Sequence, residues 1–410
     1  MDVIVQCCCG LDVHKRTVQA CVRRVDGQGQ GQEQIRSFGT TTGQLLALSD
    51  WLGQQQVSHV AMESTGVYWK PVWHLLQGQF TLLLVNAQHI KHVPGRKTDV
   101  KDSQWIAQLL QYGLLHGSFV PPSSQQQLRD LTRLRTQMIA RHSQTANRIQ
   151  KVLEDANVKL ASVASDVLGV SGRAMLQAMI DGQSDPQVLA GYARGRLKAK
   201  AAALREALEG RVDGHHRFLL SLLLEELADS ERLLERLERR IEEAMAPFAS
   251  ELTHLDEIPG VDARVAQVIV AEVGLDMSRF PSAAHLCSWA GMCPGSHESA
   301  GKRKSGRTCK GNRWLRAALV QAGWAASHTK QTYLSALFGR LVGRRGKKRA
   351  LVACGHSILN SVYYMLRDGV GYKELGSGHF DELAGGRMTR NLVRRLEAQG
   401  YRVTLEKQVA

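Results

Sequence analysis

The chain has no uninterrupted apolar run of about eighteen residues, the length a bilayer-spanning helix needs. Its opening stretch, "MDVIVQCCCG", lacks the basic segment, long apolar core and small-residue cleavage site of a secretory signal. The eight cysteines do not form a disulfide framework. Cys7, Cys8 and Cys9 are contiguous in an apolar stretch, where they read as small hydrophobes. Cys287, Cys293 and Cys309, with His285 and His297 nearby, offer zinc-type ligands but not the paired C-x-x-C spacing of structural zinc. These absences favour reduced thiols in a cytoplasmic protein. Negative charge is missing from one place in particular. Lys302, Arg303, Lys304, Arg307, Lys310, Arg313 and Arg316 fall in a short stretch with no acidic residue.

What is present sets the scale. The chain has 410 residues, enough for two or three domains at about 150 residues each. Hydrophobic residues make up 43% and charged residues 22%, which excludes wholesale disorder. The net charge of +15 and a pI near 9.6 fit a polyanionic partner, most often nucleic acid. The competing explanation is a merely basic protein with no such partner.

Residues 1 to about 115 alternate strand and helix signals. Val3–Cys9 and Thr17–Val25 are rich in β-favouring residues, and Ile35–Thr40 follows a Gly/Gln loop. "TTGQLLALSDWLGQQQ" and "PVWHLLQGQ" have helical periodicity, while "SHVAMEST" and "FTLLLVNA" read as short buried strands. "TDVKDSQWIAQLLQYGLL" closes the segment as a helix with Trp105, Ile106, Leu109 and Leu110 on its apolar face. This is an α/β layout of the ribonuclease-H-like kind. From about residue 122 to 247 the pattern is almost entirely helical. Leu220, Leu223, Leu227, Leu234, Leu237 and Ile241 recur at a 3.5-residue period, with Ser230 and Ala244 filling the seam. That spacing points to a coiled-coil arm, in cis or between chains. "LDEIPGVDARVAQVIVAEVG" then resembles a helix–hairpin–helix, whose turn presents backbone N–H groups suited to a phosphate. The expected domains are 1–118, 119–250, 251–370 and a C-terminal appendage, 371–410.

Four carboxylates stand out. Asp12 ends the first strand, Glu63 ends another, and Asp99 and Asp102 share one face of a helix. Each has an ordinary explanation taken singly: turn former, loop residue, helix-dipole partner or surface ion pair. Grouped carboxylates raise one another's pKa unless a cation neutralises them, and Mg²⁺ is the hard, oxygen-seeking ion that suits such a set. Two such ions would stabilise both the attacking and the leaving oxygen of a cleaved phosphodiester.

"GLDVHK", "AMESTGVYW", "RKTDVKDSQWIAQLL", "IPGV" and "ESAGKRKSGRTCKGNRWLR" together resemble the DEDD transposases of insertion sequences, the bridge-RNA-guided recombinases, over roughly residues 5–365. The resemblance implies an N-terminal RuvC-like domain of RNase H fold, a coiled-coil arm and a mainly helical transposase domain carrying a nucleophilic serine. It places the acidic tetrad on Asp12, Glu63, Asp99 and Asp102, and the serine on Ser299. Where relatives have Gly-Gly after that serine this chain has Ala300-Gly301, so Ser296 and Ser305 stay open as alternatives. It also implies Mg²⁺, a structured guide RNA, donor and target double-stranded DNA, a homo-oligomer (dimer or tetramer) and a place at the prokaryotic nucleoid. On the residues alone, Ser299 precedes the run of seven cations, which suit a scissile phosphate. Without the resemblance it reads more readily as a serine in a basic nucleic-acid-binding loop with no covalent role. Trp289 and Trp314 fit either base stacking or a core. The rival readings are a metal-dependent RuvC-like nuclease of branched DNA and a non-catalytic nucleic-acid-binding protein.

Overall fold

The computed structural model describes residues 2–25, 31–64, 66–86, 102–295, 297–299, 302–384 and 386–405. Contacts divide the chain into two compact units, Met1–Pro122 and Ser123–Ala410.

The first unit is built on a five-stranded sheet. Strands β1 (Cys7–Val13), β2 (Thr17–Val25) and β3 (Gly31–Gly39) form an antiparallel meander. Helix α1 (Thr42–Gln54) leads to β4 (His59–Glu63), and α2 (Trp69–Leu76) to β5 (Thr81–Val85). The spatial order is β3-β2-β1-β4-β5, with β4 parallel to both β1 and β5. A mixed sheet of this order is consistent with an RNase-H-like domain. β1 begins four residues later than the apolar run suggested and passes through Gly10 to Val13. Alternation along it sorts side chains to two faces. Leu11, Val13, Val60 and Met62 join Leu48, Leu52 and Leu76 in one core. Cys8, Ala61 and Val85 join Trp105, Ile106, Leu109 and Leu110 of α3 (Asp102–Gln111) in the other.

The second unit is mostly helical. Helices α4 (Ser123–Asp155) and α5 (Gly214–Met245) run antiparallel, as their cross-links show. Arg135 pairs with Glu238 at 3.0 Å and His142 with Glu231 at 3.1 Å. Further along, Thr145 Oγ1 donates to Glu226 at 3.2 Å and His216 meets Asp155 at 3.2 Å. Residue numbers rise along α4 as they fall along α5. The 3.5-residue seam therefore faces a helix of its own chain. Leu220 and Leu227 bury into a core with Ile149 and Leu153, capped by short helices between residues 160 and 207. Leu237, Ile241 and Met245 bury into a second core with α6 (Ala249–Asp256) and α7 (Ala263–Val273).

This placement changes what the seam does when it is broken. Leu227→Asp puts a carboxylate where a wholly buried leucine sits, at an expected cost of about 4 kcal/mol or more. Chemical denaturation of the variant should show a lower midpoint. An unchanged midpoint with a smaller sedimentation coefficient would instead assign Leu227 to a contact between chains.

Helices α6 and α7 and the Pro259–Gly260 turn between them occur where the sequence suggested a hairpin. The turn packs closely against a later helix. Gly260 has φ +85°, and a Cβ there would lie 2.3 Å from the Ala322 carbonyl oxygen of α8 (Arg313–His328). Asp262 already occupies the first turn of α7, accepting from Val265 N at 2.8 Å. Beyond α8 come α9 (Tyr333–Arg345) and α10 (Lys347–Asp368). No helix among the described residues is long and apolar enough to cross a membrane.

Candidate active site

Asp12 is half-buried at the end of β1, and Glu63 is the last residue of β4. Leu11 pairs with Met62 in parallel register, so the next residues along, Asp12 and Glu63, stand side by side at the carboxyl ends of neighbouring strands. Asp102 is the first residue of α3. What lets α3 approach is Gly10, two residues before Asp12 on the same face of β1. A methyl group at Gly10 would lie 2.2 Å from the Ser103 carbonyl oxygen and 2.4 Å from Ala107 N. Only a residue without Cβ admits that helix backbone.

Asp12 feels the result. Its carboxyl is pushed above the usual range, chiefly by burial; the charges of Asp102 and Glu63 add to the rise, against the opposing effect of His14. His14 Nε2 donates to Asp12 Oδ2 at 3.1 Å. Two other sequence-selected carboxylates, Glu63 and Asp102, thus act on Asp12. Asp99 lies outside the described residues. Among the described residues, no three His, Cys, Asp or Glu side chains are grouped closely enough to hold a metal ion. The chemistry of Asp12, Glu63 and Asp102, oxygen atoms of like charge, would suit a hard divalent cation.

The contribution of Gly10 was not recognised from sequence, although a glycine inside an apolar strand is the usual sign of close backbone approach. Its substitution is a direct test. Gly10→Ala must push α3 off the sheet or distort β1, with an expected loss of about 3 kcal/mol. Thermal unfolding measures it, and a loss below about 0.5 kcal/mol, typical of an unstrained surface change, would mean that α3 does not rest on β1.

Ser299 belongs to the second unit. It ends β6 (His297–Ser299), which pairs antiparallel with β7 (Lys302–Ser305), so the basic stretch begins as a hairpin. Ser299 pairs with Lys302 at the turn, and Ser305 pairs with His297 at the open end. Ser296 lies outside the described residues. Of the seven cations, Lys302, Arg303 and Lys304 are on β7, Arg307 and Lys310 are exposed after it, and Arg313 and Arg316 open α8. Trp289 and Trp314 are half-buried beneath arginines: Arg129 lies 6.0 Å from the Trp289 ring centre, and Arg313 4.6 Å from that of Trp314.

The base of this region is fixed by a carboxylate that sequence reading passed over. Glu272 on α7 is fully buried. Arg133 of α4 grips it with two hydrogen bonds, at 2.7 and 2.8 Å, and Asn312 Nδ2 donates to it at 2.6 Å. Arg129 stands 3.4 Å away; burial lowers its pKa to about 10, with Glu272 opposing. Asn312 in turn caps α8, accepting from Trp314 N and Leu315 N at 3.0 and 3.2 Å.

Two family models match the chain, one on each side of the arm's outer portion. A "Transposase" model of the DEDD, IS110 type covers residues 9–158, and a "Transposase IS116/IS110/IS902 family" model covers residues 252–338. The chain belongs to the DEDD-type insertion-sequence transposases. The first match runs through Asp12, Glu63, Asp99 and Asp102, and the second through Ser299 and all seven cations. A Streptomyces coelicolor protein described as "Insertion element IS110 uncharacterized 43.6 kDa protein" is 33% identical over 124 residues. That match spans 29% of each of the two chains, so the resemblance to this relative is confined to part of its length.

Proposed function

We propose that this DEDD-type transposase is a DNA recombinase that mobilises an insertion sequence through a serine–DNA intermediate. The observation that carries the reading is the placement of Asp12 and Glu63 on the neighbouring strands β1 and β4, with the charge of Asp102 at the head of α3 felt by Asp12. Asp12, Glu63, Asp99 and Asp102 would hold Mg²⁺. When bound, it would polarise a phosphodiester and offset developing charge on oxygen.

The chain's own groups do the rest. Ser299 Oγ attacks phosphorus, a new P–O ester forms, and one strand leaves as its free hydroxyl, taking up the proton that Oγ gives away. Lys302, Arg303, Lys304, Arg307, Lys310, Arg313 and Arg316 hold the phosphate and offset its charge. The ester conserves the energy of the broken link, so a second DNA hydroxyl can reverse the attack and join the strands. The cations address phosphates rather than base edges, which fits a protein whose sequence choice is delegated to a guide RNA pairing with donor and target DNA. Holding two duplexes calls for a dimer or tetramer.

The test is a trapping experiment. Purified protein, its guide RNA and a labelled DNA substrate that cannot be rejoined should give, in Mg²⁺, a product in which label stays with protein through a denaturing gel. Peptide mapping should locate the label on Ser299. Cleavage with no adduct would make water the nucleophile and the chain a metal-dependent nuclease.

A further inference from the structure

The positive charge of this chain is unevenly placed. Residues 299–367 hold 15 Lys and Arg and no Asp or Glu, whereas the rest of the chain has 38 of each sign. The whole net charge of +15 therefore resides in 69 consecutive residues. The serine hairpin and the start of α8 account for seven of the fifteen cations. Five others crowd into six positions at the turn from α9 to α10: Arg344, Arg345, Lys347, Lys348 and Arg349. All five are exposed, and among the described residues none has a carboxylate partner.

Three of the five sit where the helix dipole disfavours a cation. Arg344 and Arg345 suit the C-terminal end of α9, but Lys347, Lys348 and Arg349 fill the first turn of α10, where cations oppose the helix dipole. That turn contains no acidic residue, and Gly346 provides no side-chain cap. Crowding like charges at one turn costs stability in the free protein. The patch also has an aromatic floor. Trp324 of α8 is 40% exposed, Lys347 Nζ lies 3.8 Å from its ring centre, and His328 packs against it edge-on at 4.3 Å.

We propose that the α9–α10 turn is a second phosphodiester-binding site, separate from the serine hairpin and held at a fixed distance from it by α8. Arg313 and Trp324 are eleven residues apart on that helix, about 16 Å along its axis. One nucleic-acid strand covers that distance in about five phosphates. A single backbone can therefore lie across both sites, anchored at the turn and presented at the hairpin. The ligand chemistry is the phosphodiester, whether it comes from duplex DNA or from RNA.

The proposal rests on the nucleic-acid partner of the proposed function but not on its chemistry, and binding alone tests it. The variant replaces Arg344, Arg345, Lys347, Lys348 and Arg349 with Gln, with thermal unfolding as the fold control. Affinity for a mixed-sequence DNA duplex and for a single-stranded RNA is measured by fluorescence anisotropy over a salt series. For the wild type, log K falls steeply with log salt. The variant should lose about 2 to 4 from the magnitude of that slope on at least one of the two probes, since each phosphate contact contributes about 0.9 on duplex and 0.7 on single strands. The probe that shows the loss identifies the source of the phosphate. Equal slopes for wild type and variant on both probes would overturn the second site. A wild type that binds neither probe would instead overturn the nucleic-acid reading itself.

Discussion

Ser299→Ala is expected to abolish the covalent protein–DNA adduct and to lower strand cleavage by at least about a thousandfold, the scale seen when a nucleophile is removed. Ser296→Ala and Ser305→Ala should retain most of both. The contrast with Ser305 is informative because β6–β7 pairing puts Ser299 at the turn and Ser305 at the open end of one hairpin. A general disturbance of the hairpin would affect both variants, whereas loss of the attacking oxygen affects one. Nucleic-acid binding should survive Ser299→Ala, since one hydroxyl adds little beside seven cations. Cleavage by Ser299→Ala at wild-type rate in Mg²⁺ would sink the serine mechanism.

Asp12→Asn should be as damaging to cleavage and yet favourable to the metal-free fold. The folded protein raises the Asp12 carboxyl above its usual range, through burial and the charges of Asp102 and Glu63, so the folded state holds that proton more tightly than the unfolded chain. Stability from this group is therefore greatest below the ordinary carboxylate value and is lost as pH rises to the raised one. At neutral pH the ionised carboxylate is a net burden, and the neutral amide of the variant removes it. In chelator, thermal melts should show Asp12→Asn above wild type at pH 7, with the gap closing as pH falls through the acid range. Added Mg²⁺ should raise the wild type and leave the variant behind, because a ligand stabilises only the state that binds it. A variant that melts below wild type at pH 7 in chelator would mean that the His14 contact outweighs the repulsion.

The positions of Asp12 and Glu63 near strand ends were legible because strand ends are easy to place. Alternating apolar residues put Asp12 and Glu63 at the ends of "CCCGLDV" and "HVAME", and parallel pairing of those strands brought them together. Gly10 was harder to interpret. The sequence pattern ends the apolar run at Cys9, so Gly10 was not recognised as the place where Ser103 and Ala107 come down on the sheet. The Leu220–Ala244 periodicity announced a buried stripe but could not name what covers it. That information sits in polar residues, in the match of Glu238, Glu231 and Glu226 to Arg135, His142 and Thr145. Glu272 carried a signal that was available: a lone carboxylate inside the apolar helix "ARVAQVIVAEV" needs partners, and two arginines and an asparagine supply them.

Glu272 also makes three helices of the second unit depend on one another. Its carboxylate is shared between Arg129 and Arg133 on the 33-residue helix α4 and Asn312 at the head of α8. These contacts tie α4, α7 and the head of α8 at one buried point. Separating any one of the three would leave that charge buried without its full set of partners, so they are expected to open together.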